Sequence, residues 1–465
     1  MYSVRHHLTN HECAYVTSLS LSLPLSLSPS LLSRNAAGGT CHLQPPPHCK
    51  HDSDCAPKGV DPADVARHVE VARINALPGI TWKAKVHDRF RGQPLGAAKA
   101  LCGVQKDAHE KLMASVSAGR VSVFKADPSV ELPDAFDSEA NWPKCAKVIG
   151  DIRDQSACGC CWAFGAAEAA SDRLCIWSNA TIKVPLSAQE TCFCASMDGC
   201  DGGDLETPWS YIADQGLSTG GQVNGTGPFA DLGTCTPFTL PHCHHHGPIG
   251  KDPYPSEGTK GCPNVGQGQS PQCPTACASG AKSPYNDFKS ARYGFAGSVQ
   301  THADEQAIMQ SIMTDGPVEA AFNVMSDFEN YASGIYKSTS SKQLGGHAIR
   351  IVGWGVGTQA EGGLKYWKVA NSWNPYWGEQ GYFRIVRGTD ECGIEDDVTS
   401  SSTGSSWNGP GLGPAPAPGP PTPGNCADQQ TEVTCEHTSK GGKACEWCFL
   451  RGLGIGICQD PGTSC

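Results

Sequence analysis

The hydrophobic and polar pattern divides the chain into five stretches. Residues 1–40 carry a Leu/Ser repeat from Leu19 to Leu32, with Arg5 before it and Ala36-Ala37-Gly38-Gly39 after it. A basic flank, an apolar centre and small residues are the layout of a secretory signal, while Pro24, Pro29 and the alternating serines suit a disordered leader equally well. Residues 41–130 begin with Cys41, Cys49 and Cys55 among Pro and His, a flexible or disulfide-tied segment. Within it, residues 60–115 read as helix-competent, because Val65, Ala66, Val69, Val71 and Ala72 recur at roughly helical spacing. Residues 131–403 have an ordinary globular pattern. There Cys161-Trp162-Ala163-Phe164 and the Ala-rich run to Ala170 predict a helix, Gly345 to Val352 alternates like a strand, and Trp367 to Trp373 reads as a short strand entering a turn. Residues 404–424 form a Pro/Gly/Ser-rich spacer, extended and semi-rigid. Residues 425–465 are a small module with Cys426, Cys435, Cys445, Cys448, Cys458 and Cys465.

Composition narrows the classes. Lys plus Arg is 35 against Asp plus Glu 46, a net charge of −11 with no basic cluster, which argues against a nucleic-acid partner. Gly 54 and Pro 34 in 465 residues signal many loops. Twenty-five cysteines point to the secretory route, where disulfides persist and staple loop-rich modules. Apolar runs never reach 18 residues, so no spanning helix is expected. In the terminal module Cys445-Glu446-Trp447-Cys448 has no second such pair, and disulfides are preferred to zinc.

The candidate chemistry lies in three stretches. In Gln155-Ser156-Ala157-Cys158-Gly159-Cys160-Cys161-Trp162, Cys161 stands at a helix start, where unpaired N–H groups and the macrodipole favour a thiolate. His347 opens a strand after a glycine pair that allows close approach of a substrate, and Asn371 in Asn371-Ser372-Trp373 can orient an imidazole. Together these stretches resemble papain-family cysteine proteases, and more narrowly cathepsin B, over about residues 60–398. The resemblance implies an α+β, papain-like two-lobed fold, a helical lobe plus a β-barrel-like lobe, with an occluding loop and the disulfide-rich module after it. It implies Cys161 as nucleophile, His347 as general base and acid, Asn371 as orienter and Gln155 as donor to the oxyanion. Here Cys160 stands where the family usually has a small hydroxyl residue, and Trp162 directly after Cys161 sets the register.

The resemblance extends to substrate binding. Gly202 and Gly203 correspond to the cleft edge that bonds an extended substrate, and Trp373 lies beside the site. Pro241 to His246 resembles the occluding loop, with His245 and His246 binding a terminal carboxylate. Asp154 matches the acid that partners the first of them, whereas the second latch has Tyr376 in place of an acid. Asp397 falls at the base of the pocket for the second residue before the scissile bond, with Asp396 one residue away. Implied disulfides are Cys145–Cys175, Cys158–Cys200, Cys192–Cys273, Cys235–Cys277 and Cys243–Cys262, leaving Cys160, Cys194 and Cys392 unassigned. Thr81 to Gly103 resembles a propeptide that blocks the cleft until cleavage near residue 130, which makes residues 41–130 the propeptide region, ahead of a mature start at Leu132. Asn179 and Asn224 head glycan acceptor patterns.

The expected activity is peptide-bond hydrolysis by a zymogen, as endopeptidase and carboxy-dipeptidase. No cofactor or metal is implied. Expected partners are protein and peptide substrates, the chain's own propeptide as inhibitor and an unknown ligand of the terminal module. The implied compartment is lysosome-like or extracellular. The competing reading is a non-catalytic protease-fold scaffold whose Cys-rich module mediates binding.

Overall fold

A computed structural model describes residues 61–196, 198–222, 227–241 and 269–412, with the backbone of short strands between 422 and 459. The leader, Asn224, the Cys243/Cys262 pair, His245 and His246 lie outside the described residues.

The helical pattern upstream is realised only in part. Helix α1 (Pro62–Asn75) begins where the Asp61 carboxylate accepts the Ala63 N–H at 2.8 Å and a proline occupies the first turn. Pro78, Gly79, Gly92, Pro94 and Gly96 then interrupt any continuous helix. Strand β1 (Trp82–Ala84), helix α2 (Ala108–Ser117) and strand β2 (Val121–Phe124) follow. Next come β3 (Phe136–Asp137), α3 (Ser138–Asn141), α4 (Ala146–Ile149), α5 (Cys161–Trp177), α6 (Ala188–Cys194) and α7 (Glu206–Gln215). The remainder of the domain is β4 (Gly294–Ala296), β5 (Val299–His302), α8 (Glu305–Asp315), β6 (Val318–Met325), β7 (Tyr331–Tyr336), β8 (Gln343–Val356), β9 (Lys365–Ala370), β10 (Tyr382–Val386), β11 (Val398–Ser401) and β12 (Ser406–Asn408).

One mixed sheet runs β1-β7-β10-β9-β8-β6-β11-β5-β2, with β3 added on β8. Both outermost strands come from residues before 130, so the upstream segment holds the sheet at its two ends. Trp82 packs with its ring 5.2 Å from that of Tyr336 and tilted to it, and Ile74, Phe90 and Leu101 join the core inside the sheet. Arg67 on α1 forms a buried 2.6 Å ion pair with Glu329. Strand β8 is buried on both faces from His347 to Gly355, because Ala348 faces the core around α5 while Ile349 and Ile351 face the core of the sheet. Helix α5 is buried along nearly its whole length, and its alanines permit that close packing.

Disulfides Cys145–Cys175, Cys158–Cys200 and Cys235–Cys277 form as the resemblance implies. The fourth corrects it: Cys194, not Cys192, joins Cys273. On α6 the two positions are two residues apart and point to opposite sides, so Cys194 is half-buried and Cys192 is turned into the core. Residues 404–412, expected as the start of the spacer, are instead packed on the domain. Strand β12 pairs antiparallel with β4, Trp407 packs 5.5 Å from Phe295, and the Tyr293 hydroxyl donates to the Pro410 carbonyl at 3.1 Å. A large aromatic with a partner surface outweighs the local Ser/Gly/Pro composition. In the terminal module Glu446–Leu450 pairs antiparallel with Ile455–Gln459.

Candidate active site

Cys161 is the first residue of α5, preceded by Cys160 as an N-cap with no capping side chain. His347 enters from β8, and three residues on Arg350 bonds Asp172 and lies 3.4 Å from Glu168, both on α5. This buried ion cluster ties the strand carrying the imidazole to the helix carrying the thiol. Asn371 follows β9, and its Oδ1 lies 2.9 Å from His347 Nε2. The Ser372 N–H donates to the same Oδ1 at 2.8 Å, which fixes the orientation of the amide. Gln155 is positioned by Ser372, whose Oγ donates to Gln155 Oε1 at 2.6 Å.

The upstream segment passes through this constellation. The Leu101 carbonyl oxygen lies 3.0 Å from Gln155 Nε2, which donates to it, and 3.2 Å from His347 Nδ1. Two residues on, the Gly103 N–H donates to Cys161 Sγ at 3.2 Å. A Cβ on Gly103 would lie 1.7 Å from the Gly159 carbonyl oxygen, so only glycine permits this approach. The segment then pairs with both walls: Gly203 N–H donates to Gly103 O and Gln105 N–H to Gly203 O, each at 2.9 Å, while Val104 N–H donates to Gly346 O at 3.0 Å. Gly203 backs onto Trp162, where a Cβ would come within 2.5 Å of the ring. Gly202 has φ +106 and accepts a 3.4 Å bond from Gln105 Nε2.

The cover reverses the titration expected at a helix start. Burial pushes the Cys161 thiol up to about 12, against the N–H groups of Ala348 and Gly103, which favour its anion. Burial also holds His347 down at about 4, although both ring nitrogens face oxygen acceptors. In this closed form the pair is a neutral thiol and a neutral imidazole. The helix terminus is outweighed because water, which would solvate both ions, is excluded.

Trp373 is fully buried 5.1 Å from the His347 ring, and Phe90 of the upstream segment meets it edge-on at 5.9 Å. Asp397 lies at the wall of a cavity of about 740 Å³ and accepts a 2.7 Å bond from Nδ1 of His109 on α2. Asp396 lines the same cavity but is exposed. Asp154 is held by Arg89 at 3.1 Å, so an upstream arginine occupies the acid that the resemblance assigns to a loop histidine. Arg89, His109 and Ser372 carry no local signature, since their partners stand 65, 288 and 217 residues away.

Residues 132–402 match the papain family cysteine proteases. A cathepsin B-like cysteine proteinase of Schistosoma japonicum is 44% identical over 333 residues, covering 71% of this chain and 89% of that protein. Cathepsin B-like cysteine proteinase 6 of Caenorhabditis elegans is 39% identical over 328 residues, covering 68% and 78%. Among solved structures, procathepsin B S9 of Trypanosoma congolense aligns with TM-score 0.53 and 27% identity, covering 72% of this chain and 97% of that one. The chain belongs to the papain family, on its cathepsin B-like side, and is a cysteine peptidase. Among the described residues, no helix is long and apolar enough to cross a membrane.

Proposed function

We propose that the chain is a latent peptidase in which residues 61 to about 130 are the inhibitory propeptide, and that Cys161, His347, Asn371 and Gln155 perform the hydrolysis once it leaves. The observation that carries this reading is the Leu101 carbonyl, which accepts from Gln155 Nε2 and lies 3.2 Å from His347 Nδ1, two residues before the amide that donates to the Cys161 thiol. A substrate carbonyl in the same donors would meet a nucleophile on one side and hydrogen-bond donors on its oxygen. When water re-enters, the proton passes from Cys161 to His347, giving a thiolate and an imidazolium whose ring Asn371 orients. The thiolate attacks the carbonyl carbon, negative charge gathers on the oxygen beside Gln155, and His347 returns its proton to the leaving amine. Water then attacks the thioester with His347 as base, releasing the acid and restoring the thiol pair.

The exposed, irregular stretch from Asp127 to Ala135 supports cleavage near residue 130. A non-catalytic scaffold would not need Gln155 and His347 to meet at one carbonyl, with the Cys161 thiol bonded two residues further along the same segment. A thiol-directed covalent probe tests the reading: after processing it should label Cys161 selectively, Cys161→Ala should abolish hydrolysis, and Cys160→Ser should keep most of it. Labelling without that selectivity would support the scaffold. Both endopeptidase and carboxy-dipeptidase action are proposed, the second through His245 and His246. Changing both to Ala should reduce removal of C-terminal dipeptides far more than internal cleavage, and equal losses would remove their role. Four disulfides among the described residues and the exposed acceptor Asn179 support the secretory route, to a lysosome-like or extracellular compartment.

A further inference from the structure

Close to the nucleophile lie two buried thiols that the proposed mechanism leaves unused. Cys160 is the N-cap of α5 and Cys192 sits on α6, and neither is exposed to solvent. Their sulfurs, together with Cys158 Sγ, all lie within 4.8 Å of one another. Cys192 is free to face this way because its helix neighbour Cys194 takes the bridge to Cys273. Its surroundings are also tightly packed. A Cβ on Gly199 would lie 1.8 Å from the Cys192 carbonyl oxygen and 2.7 Å from its Sγ, so a glycine is needed opposite.

We propose that Cys160 and Cys192 form a disulfide, a fifth beside the four already described, which fastens the start of the nucleophile's helix to α6. A metal is the weaker use of the cluster: Cys158 is already bound to Cys200, and two thiols are too few for the usual four-coordinate site. The reaction balances with a small disulfide such as oxidised glutathione as oxidant. One thiolate attacks it to give a mixed disulfide and releases one glutathione; the partner thiolate displaces the second glutathione and closes the bridge, and the two protons given up by the protein thiols end on the two glutathione thiols. It closes while the chain folds, before α5 and α6 bury both sulfurs. Burial pushes the Cys192 thiol up, so once enclosed and unpaired it would be a poor nucleophile, which favours closure during folding.

The effect falls on the lifetime of the peptidase. The Cys160 carbonyl accepts the first two helical bonds of α5, from Ala163 at 3.0 Å and Phe164 at 3.2 Å, so a link at this residue resists fraying of the turn that carries Cys161. The same link makes that turn sensitive to reductants able to open it.

The full chain, refolded in a glutathione redox buffer, is denatured, alkylated without reduction and digested. The expected product is a Cys160–Cys192 cross-linked peptide. Alkylation of both thiols in the wild type would overturn the proposal, and so would a Cys158–Cys192 link. Because a serine variant could fail for unrelated reasons, thermal unfolding of Cys160→Ser, Cys192→Ser and the double variant is compared. Each single change should lower the midpoint by several degrees and the double change by no more than either alone, since all three lose the same bridge. Additive losses, or none, would overturn it as well. Neither readout uses peptidase activity, so failure here leaves the proposed catalytic residues standing.

Discussion

At the scale of single residues, the specificity proposed for Asp397 separates it from its neighbour Asp396. Both line the cavity, but Asp397 is buried and bonded to His109 of the upstream segment whereas Asp396 is exposed. Burial raises the Asp397 carboxyl, and the carboxylate in turn raises His109. The site therefore already accepts a cationic, hydrogen-bonding group in the closed form. Once α2 leaves, a substrate arginine can make the same charge-assisted bonds and a phenylalanine cannot. Asp397→Ala should weaken peptides with Arg at the second position before the cut by about 1 to 3 kcal/mol and leave Phe peptides nearly unchanged. The measured quantity is the ratio of kcat/KM for the two peptides, which cancels general damage. Asp396→Ala is the control, and an effect there instead would move the assignment by one residue.

At the scale of elements, the proposed latency rests on the stretch Leu101 to Gln105, which leaves a short 3-10 turn at Leu101 and passes along the cleft. Its backbone bonds to Gly203 and Gly346 imitate a bound strand, while its carbonyl and amide occupy the groups that would act on a substrate. The Val104 pairing with Gly203 is parallel and that with Gly346 antiparallel, so the stretch lies between the two walls as a short central strand. Gly103 is the point of least tolerance, because its Cα faces backbone atoms of Gly159 that cannot give way as a side chain would. Gly103→Ala should lift the stretch from the cleft without touching the folded peptidase. The unprocessed variant is expected to hydrolyse small peptides at least tenfold faster than the unprocessed wild type, and the processed enzymes should be equal. A silent variant would mean that latency resides in the outer anchors, Arg67–Glu329 and Arg89–Asp154.

At the scale of the whole molecule, closure is linked to pH through His347. Its value of about 4 in the closed form lies below the ordinary 6.5, so the closed form binds fewer protons than the open one between those limits. In Cys161→Ala protein, which has no thiolate to hold an imidazolium, the ring is neutral in both forms above pH 6.5 and closure keeps its full stability. As pH falls from 6.5 to about 4 the open form gains protons and closure weakens, by up to about 3 kcal/mol from this group. His302, also lowered to about 3 by burial, lies in β5 against β2 and pulls the same way. Release of the segment from Cys161→Ala protein, followed by tryptophan fluorescence, should therefore accelerate as pH drops through this window. His347→Asn should flatten much of that dependence, and an unchanged slope would assign it to other groups.

Much of the site was legible in the sequence because its parts depend on local chemistry. A Cys at the head of an Ala-rich run, a His after two glycines and an Asn at a strand end each follow from neighbours within a few residues, and each element forms where its pattern places it. What the chain order does not contain is which distant group faces which. Cys192 and Cys194 are equivalent as sequence, and only the helical turn of α6 sends one outward to Cys273 and the other inward to Cys160. Residues 404–412 read as spacer by composition, yet Trp407 finds a wall at Phe295. The helix start by itself favours a Cys161 thiolate, and only the covering segment, by excluding water, holds the thiol neutral. Local pattern determined the elements and the reactive residue types, while pairing, exposure and ionisation were decided by tertiary structure, because each depends on what lies across a contact between parts of the chain far apart in sequence.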